Sequence, residues 1–387
     1  MPAAHVPSMV AAPHDCPCPR GRDNPCRGRG FKRPSRSKRP SRAAGTHRPR
    51  RPQTRAGLRA PDAAAEATGA ARNGYPHAFA SPLVLRALAR RVDAWIDRGE
   101  GLGPDVDPFG PPLPDQKVAA LREAVRNARF EPGPLRSPIA LEGTRPTVDL
   151  LLRPPATGST WCVLATPYGA FRSPARLGLY DAHARALRGR GLGVAALEPP
   201  FHGARAMQGR RSGWGFVSAD LGRTMSATFA YAAEVAALAR LLRDRHGAGR
   251  IVGLGLSLGG CALGLAAAHA AGFDRLAFLA AVDSPASFYA TGANREARRR
   301  TLRAAGFGQV AVEEAFRPVA PSTYAAPAPA LFAIPAQDQV VPARTQEAWR
   351  VAWSGELLEL PRHGHGVALA SRAVARRLAA WLAAAPA

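Results

Sequence analysis

Lysine is almost missing from this chain. Of 53 basic residues, only Lys32, Lys38 and Lys117 are lysines, and the rest are arginines. Beside abundant alanine, 38 glycines and 37 prolines, this is the residue usage of a GC-rich coding sequence. Cysteine is scarce too: Cys16, Cys18, Cys26, Cys162 and Cys261. An odd number spread in this way excludes a disulfide framework and suits a reducing compartment. His14, Cys16, Cys18 and Cys26 fit no common structural zinc spacing. Long apolar runs are lacking: the longest, Cys261 to Val282, is broken by Asp274 and Arg275. A membrane span needs about 18 uninterrupted apolar residues. The first thirteen residues have neither a basic start nor an apolar core, and the Arg50-Arg51 pair is followed by no apolar segment from Pro52 to Ala71. The expectation is a cytoplasmic protein with no membrane span.

Acidic residues are few, 28 against 53 basic, for a formal charge of +25. The imbalance is uneven. Residues 1–60 hold 15 Lys and Arg against 2 Asp, about half of the excess. Such Arg- and Pro-rich, apolar-poor sequence cannot bury enough surface to offset its ordering entropy, so residues 1–80 read as a disordered basic tail. A nucleic-acid partner is a poor match, because Phe31 is the one aromatic among residues 1–60 and single strands need stacking platforms. The tail reads either as a solvated extension or as sequence upstream of a start codon near residues 70–80.

Hydrophobic residues make up 46% of the 387, enough for a sizeable core. Order is expected to begin at Ser81-Pro82, an N-cap followed by proline at the first helical position. Leu85, Leu88, Val92, Trp95 and Ile96 then recur at helical spacing. A second helix is expected from Asp115 to Ala128, and residues 81–146 form a helical extension. A strand-like segment spans Val148 to Leu152. Beyond it the chain alternates, with strands at Trp161–Thr166, Gly193–Leu197, Arg250–Leu256, Leu276–Val282, Leu331–Ile334 and Glu356–Leu360. Helices are expected at Ala175–Arg188, Ala219–Arg245, Gly259–Ala271, Ala343–Trp353 and Val367–Ala384. Repeated strand–helix units need crossover connections, so residues 147–387 form one α/β domain around a mostly parallel sheet. Ser284 to Tyr324 interrupts the alternation and reads as a small helical cap.

Gly255-Leu256-Ser257-Leu258-Gly259 is the chemically informative segment. A buried strand ends at the serine and an apolar helix starts after it. Glycine is needed on both sides because side chains there would strike neighbouring backbone in a sharp strand-to-helix turn. Such a turn pushes the serine hydroxyl out of the sheet at a strained position, and the helix N-terminus favours negative charge there. The acid and the histidine should follow in that order. Asp338 stands in the loop after an apolar strand, with Asp283 as the rival. For the base, His365 has glycine on both sides and His363 competes with it. Tyr289, Phe288 and Trp214 read equally as an acyl-pocket wall or as core. Arg295, Arg298, Arg299 and Arg300 read as a solvated helix face or, alternatively, as favouring acidic substrates.

Ser257, Asp338 and His365, in this order and context, resemble the α/β-hydrolase superfamily over residues 147–387. Glu198-Pro199-Pro200-Phe201-His202-Gly203-Ala204-Arg205, with Arg211-Ser212 and Phe216-Val217-Ser218, resembles more narrowly the abhydrolase domain-containing 18 type family. The resemblance implies an α/β-hydrolase fold and a serine hydrolase acting on an ester or thioester of a small acyl substrate. It implies Ser257 as nucleophile, His365 as base, Asp338 as its orienting acid and no cofactor or metal. It also implies two oxyanion donors: the N–H of Leu258, and one from Pro167-Tyr168-Gly169-Ala170-Phe171, where Ala170 is the candidate and Tyr168 replaces the usual histidine. His202 and Arg205 read as lining the pocket or binding an anionic group, or as bracing their loop through carbonyls. The competing readings are a catalytically idle scaffold that binds ligands and a nucleic-acid binder using the basic tail.

Overall fold

The computed structural model describes residues 108–168, 181–210, 212–270, 272–290 and 295–385, with side chains from 299 onward in the last segment. All of them belong to one compact unit, Arg72–Ala387. The expected helix from Ser81, the cysteines of the tail and residues 169–180 lie outside the described residues.

Seven strands form one sheet: β1 (Leu150–Arg153), β2 (Thr160–Ala165), β3 (Gly193–Leu197), β4 (Arg250–Leu256), β5 (Arg275–Leu279), β6 (Ala330–Pro335) and β7 (Glu356–Leu360). Their spatial order is β1-β3-β2-β4-β5-β6-β7. Only β1 runs antiparallel, pairing Leu150 with Leu197 and Arg153 with Val194. The chain winds outward from β2 to β3 on one side, and from β4 to β7 on the other. This reversal leaves a crevice at the carboxyl ends of β2 and β4, the usual place for a ligand in an open α/β sheet.

Alternation along the strands sorts side chains into two layers. Trp161, Val163, Ala165 and Ile251 face one core, shared with α1 (Asp115–Arg126), α3 (Leu221–His246) and α4 (Leu258–His269). Cys162, Leu164, Val252, Leu254 and Leu256 face the other, shared with α2 (Asp181–Arg188), α9 (His365–Ala370) and α10 (Arg372–Ala383). Gly253 and Gly255 let α4 lie directly on β4. A Cβ at Gly253 would sit 2.7 Å from Leu263 Cδ1, and one at Gly255 would sit 2.6 Å from the Gly260 Cα.

Capping explains the helix limits. The Asp220 carboxylate accepts the Arg223 N–H at 2.9 Å and starts α3, which ends at Gly247 with φ +60°. By length and composition α3 is apolar enough to cross a membrane. Yet 89% of its apolar window is buried within the protein. The expected helix from Val367 to Ala384 is instead two. Ser371 leaves helical geometry, and its hydroxyl accepts the Val374 N–H at 3.3 Å, so α10 starts afresh there. The strand expected to reach Val282 stops at Leu279, because Ala280 turns the chain with φ 49° and brings the Val282 N–H to the Ser257 carbonyl at 3.0 Å.

Ser284 to Tyr324 is helical in its described parts: α5 (Ser287–Ala290), α6 (Arg295–Ala304) and α7 (Gln309–Phe316), then two short 3₁₀ turns. The remaining helix, α8 (Ala343–Ala352), links β6 to β7. α1 buries Val118 and Val125 in the same core as α3 and α4.

Candidate active site

Ser257 sits at the end of β4, where the chain turns into α4, with φ 49° and ψ −118°. That backbone geometry costs roughly 1–3 kcal/mol and persists only where surroundings enforce it. Here three backbone hydrogen bonds do so. The Ser257 N–H donates to Leu279 at 3.0 Å, and its carbonyl accepts from Gly260 at 2.9 Å and from Val282 at 3.0 Å. The glycine after it has no room for a side chain: a Cβ at Gly259 would lie 2.2 Å from the Ala165 carbonyl oxygen. β2 and α4 therefore meet backbone to backbone beside the serine.

His365 opens α9 in the turn after β7. Its Nε2 lies 3.0 Å from Ser257 Oγ and its Nδ1 lies 2.8 Å from Asp338 Oδ2. A carboxylate on Nδ1 fixes the tautomer: Nδ1–H donates to Asp338, which leaves Nε2 as acceptor for the serine hydroxyl. Asp338 comes from the loop after β6. Its Oδ1 accepts the N–H groups of Val340 at 2.9 Å and Val341 at 2.7 Å. Its Oδ2 also accepts from Gln346 Nε2 at 3.2 Å, and the same amide reaches the Val341 carbonyl at 2.9 Å. Ser257, Asp338, Gln346 and His365 are all buried.

The rivals lie elsewhere. Asp283 accepts the Ser322 N–H at 2.9 Å and the Ser322 hydroxyl at 2.7 Å, so it braces the end of the helical segment. Burial raises its pKa against those two bonds. His363 joins the loops by backbone: its carbonyl accepts the Gln337 N–H at 3.0 Å, and its own N–H donates to Leu360 at 3.1 Å. The two core thiols are free and buried, and burial pushes the pKa of both Cys162 and Cys261 up, away from thiolate reactivity.

The Leu258 N–H stands at the first position of α4, where a helix has no carbonyl of its own to offer. Ala170 and Gly169 lie outside the described residues. Tyr168, the last described residue of that loop, meets His202 edge to face at 5.0 Å.

His202 and Arg205 belong to a buried network. Arg205 Nη1 and Nη2 donate to the two carboxylate oxygens of Glu234 at 2.8 and 2.7 Å. Arg205 further donates to the carbonyls of Glu198 at 2.8 Å and Arg145 at 3.2 Å. Neighbouring acids, Glu234 first, outweigh burial and raise its pKa. His202 Nδ1 donates to the Pro200 carbonyl at 2.7 Å, and burial lowers its pKa to about 4. Arg205 thus ties its loop to α3 and to the segment before β1. Glu234, an isolated acid in the alanine-rich stretch of α3, is the partner that the sequence reading did not single out.

Of the aromatic candidates, Tyr289 is core. It stacks on Phe316 with ring centres 5.4 Å apart, and its hydroxyl is bonded to Ser218 and Thr224. Trp214 carries the Arg210 guanidinium over its ring at 4.3 Å. Arg299 donates to the Tyr289 carbonyl at 3.1 Å, so this member of the arginine cluster is not simply solvated. Among the described residues, no three His, Cys, Asp or Glu side chains gather as metal ligands.

No family model and no curated protein matches the chain. Solved structures do. An acetyl xylan esterase 1 from Thermoanaerobacterium sp. JW/SL YS485 is 14% identical, over 66% of this chain and 90% of that one, with a TM-score of 0.48. An acylaminoacyl peptidase from Pyrococcus horikoshii is 15% identical, over 65% of this chain and 40% of that one, at 0.45. A puromycin hydrolase is 22% identical, over 61% of this chain and 36% of that one, at 0.43. The fold is the α/β-hydrolase fold. What fixes it is the strand order and the turn at Ser257 rather than these distant likenesses. In an α/β-hydrolase fold, the loops after β2, β4, β6 and β7 converge on one sheet edge, and Tyr168, Ser257, Asp338 and His365 stand on those four loops.

Proposed function

We propose that the protein is a serine hydrolase that cleaves an ester or thioester through an acyl-enzyme intermediate. One observation carries the reading: the continuous hydrogen-bonded chain from Ser257 through His365 to Asp338, at 3.0 and 2.8 Å, in a buried setting. In this reading His365 Nε2 takes the proton from Ser257 as Oγ attacks the acyl carbon. Asp338 holds the ring and stabilises the imidazolium. The tetrahedral oxyanion is met by the Leu258 N–H and, as the second donor, by Ala170. The C–O or C–S bond then breaks, and the leaving group takes the proton held on His365 Nε2. Water, deprotonated by the same nitrogen, attacks the acyl-Ser257 ester and releases the acid.

Strain at Ser257 supports the reading. The backbone holds a non-glycine residue at φ 49°, a strained conformation of the kind found at functional sites. The narrower likeness at residues 198–205 adds no substrate.

The test is turnover of a p-nitrophenyl ester series from acetate to long acyl chains. Wild-type protein should hydrolyse one part of the series. Ser257→Ala and His365→Ala should each lose at least about 10⁴-fold in kcat while keeping the wild-type circular dichroism. Turnover that survives in both variants would refute the assignment.

A further inference from the structure

A second concave site lies away from Ser257, between α2 and α10. It is a groove of about 430 Å³ walled by Arg185, Arg190, Arg372 and Arg376. The rest of its lining is small: Ala182 and Ala186, one turn apart on α2, and Gly189 just past the end of that helix. Small residues there keep the space between the helices open. Arg372 and Arg376 are one turn apart on α10, so they point to the same side.

Among the described residues, no carboxylate lines the groove. Asp181, the acid that starts α2 beside Ala182, is paired with Arg153 at 3.8 Å. On an arginine-rich surface, single exposed guanidiniums are ordinary. Four around one concavity are different, because each repels the others and an unpaired site gains nothing from the arrangement. Other exposed arginines of this protein do find acids, as Arg126 finds Glu123 and Arg129 finds Asp244. The guanidinium fork is also the side chain best matched to phosphate oxygens, which it can bind through two parallel N–H bonds. The volume falls in the lower part of the range for small-molecule sites, roughly 300–1,000 Å³.

We propose that this groove binds the phosphate oxygens of a phosphate-bearing anion. The site serves no step of the acyl chemistry described above, and stands or falls separately from it. The same recognition would suit a free polyphosphate or the phosphate of a lipid headgroup.

The probe is inorganic tripolyphosphate, titrated into the full-length protein by calorimetry. Three proteins are compared: wild type, a groove variant (Arg185→Gln, Arg190→Gln, Arg372→Gln and Arg376→Gln together), and a tail variant (Arg48→Gln, Arg50→Gln, Arg51→Gln and Arg55→Gln together). Circular dichroism checks that each is folded. The proposal expects one saturable site whose Kd rises at least about tenfold in the groove variant and less than about twofold in the tail variant. Equal binding by wild type and groove variant, or loss in the tail variant alone, overturns it. Flotation with phosphatidylcholine vesicles, with and without phosphatidylglycerol, separates the two sources. Flotation on anionic vesicles that is lost in the groove variant assigns a headgroup, and tripolyphosphate binding without flotation assigns a free anion.

Discussion

Gln346 Nε2 lies 3.2 Å from Asp338 Oδ2, the oxygen that faces His365, and 2.9 Å from the Val341 carbonyl. The amide therefore pins the carboxylate to its own loop from the side of α8. Two backbone N–H groups hold the other oxygen, so Oδ2 depends on Gln346 and His365 alone among the described contacts. Gln346→Leu should leave that oxygen short of a donor and the imidazole less well oriented. We expect kcat to fall about tenfold to a hundredfold with KM little changed, since the interaction matters most when the imidazolium forms. Steady-state kinetics on the preferred ester checks this. A change in KM alone would show that Gln346 acts on the pocket instead.

Gly259 and Ala165 come closer than any side chain allows. A Cβ at Gly259 would meet the Ala165 carbonyl oxygen at 2.2 Å and the Thr166 carbonyl oxygen at 2.6 Å, and neither backbone group can step aside without moving β2. Gly259→Ala should cost several kcal/mol, in the range where single substitutions become exceptional, and much of the protein should be insoluble. Thermal unfolding of whatever remains soluble is the check. A melting temperature within a degree of wild type would contradict the packing described here.

Two buried histidines link stability to acid. His183 Nε2 lies 2.8 Å from the Leu369 carbonyl and His202 Nδ1 lies 2.7 Å from that of Pro200, and burial lowers the pKa of each to about 4. An unfolded histidine titrates near 6.5. Between those values the unfolded chain binds more protons, so stability is fully present above about pH 6.5 and is lost as pH falls toward 4. Each ring contributes on the order of 3 kcal/mol across that window. Urea midpoints measured from pH 7.5 to 4.5 should fall steadily, and His183→Gln should remove about a third of the histidine slope, because burial also lowers the His269 pKa to about 4. A flat profile would mean that neither ring is buried as described.

The sequence foretold some elements to the residue and others only in outline. Gly193–Leu197, Arg250–Leu256 and Glu356–Leu360 are strands with the expected limits, because each is short and bounded by turn residues. The break at Ser371 was hidden because Ser371 sits in an otherwise helical apolar pattern, and its capping role needs the turn after α9. Arg205 was read either as a pocket or anion-binding residue or as a loop brace through carbonyls. Its main partner, Glu234, comes from the middle of α3, 29 residues on, and no local pattern announces a pairing across that distance. Gln346 went unnoticed although a trace existed: a polar residue three positions before Trp349 on the buried face of α8. Serine, acid and histidine were readable because strand-end loops of a parallel sheet gather at one edge whatever their separation in the chain. Ala170 was nominated by the same logic, and it lies outside the described residues.

The central claim concerns the reactivity of one hydroxyl, and a fluorophosphonate tests it most directly. Wild-type protein treated with a tagged fluorophosphonate should gain one covalent adduct, and peptide mass spectrometry should place it on Ser257. Ser257→Ala should gain none, and His365→Ala should react far more slowly. No adduct on folded wild-type protein, or an adduct at another serine that persists in Ser257→Ala, would contradict the account and leave the fold as a ligand-binding scaffold.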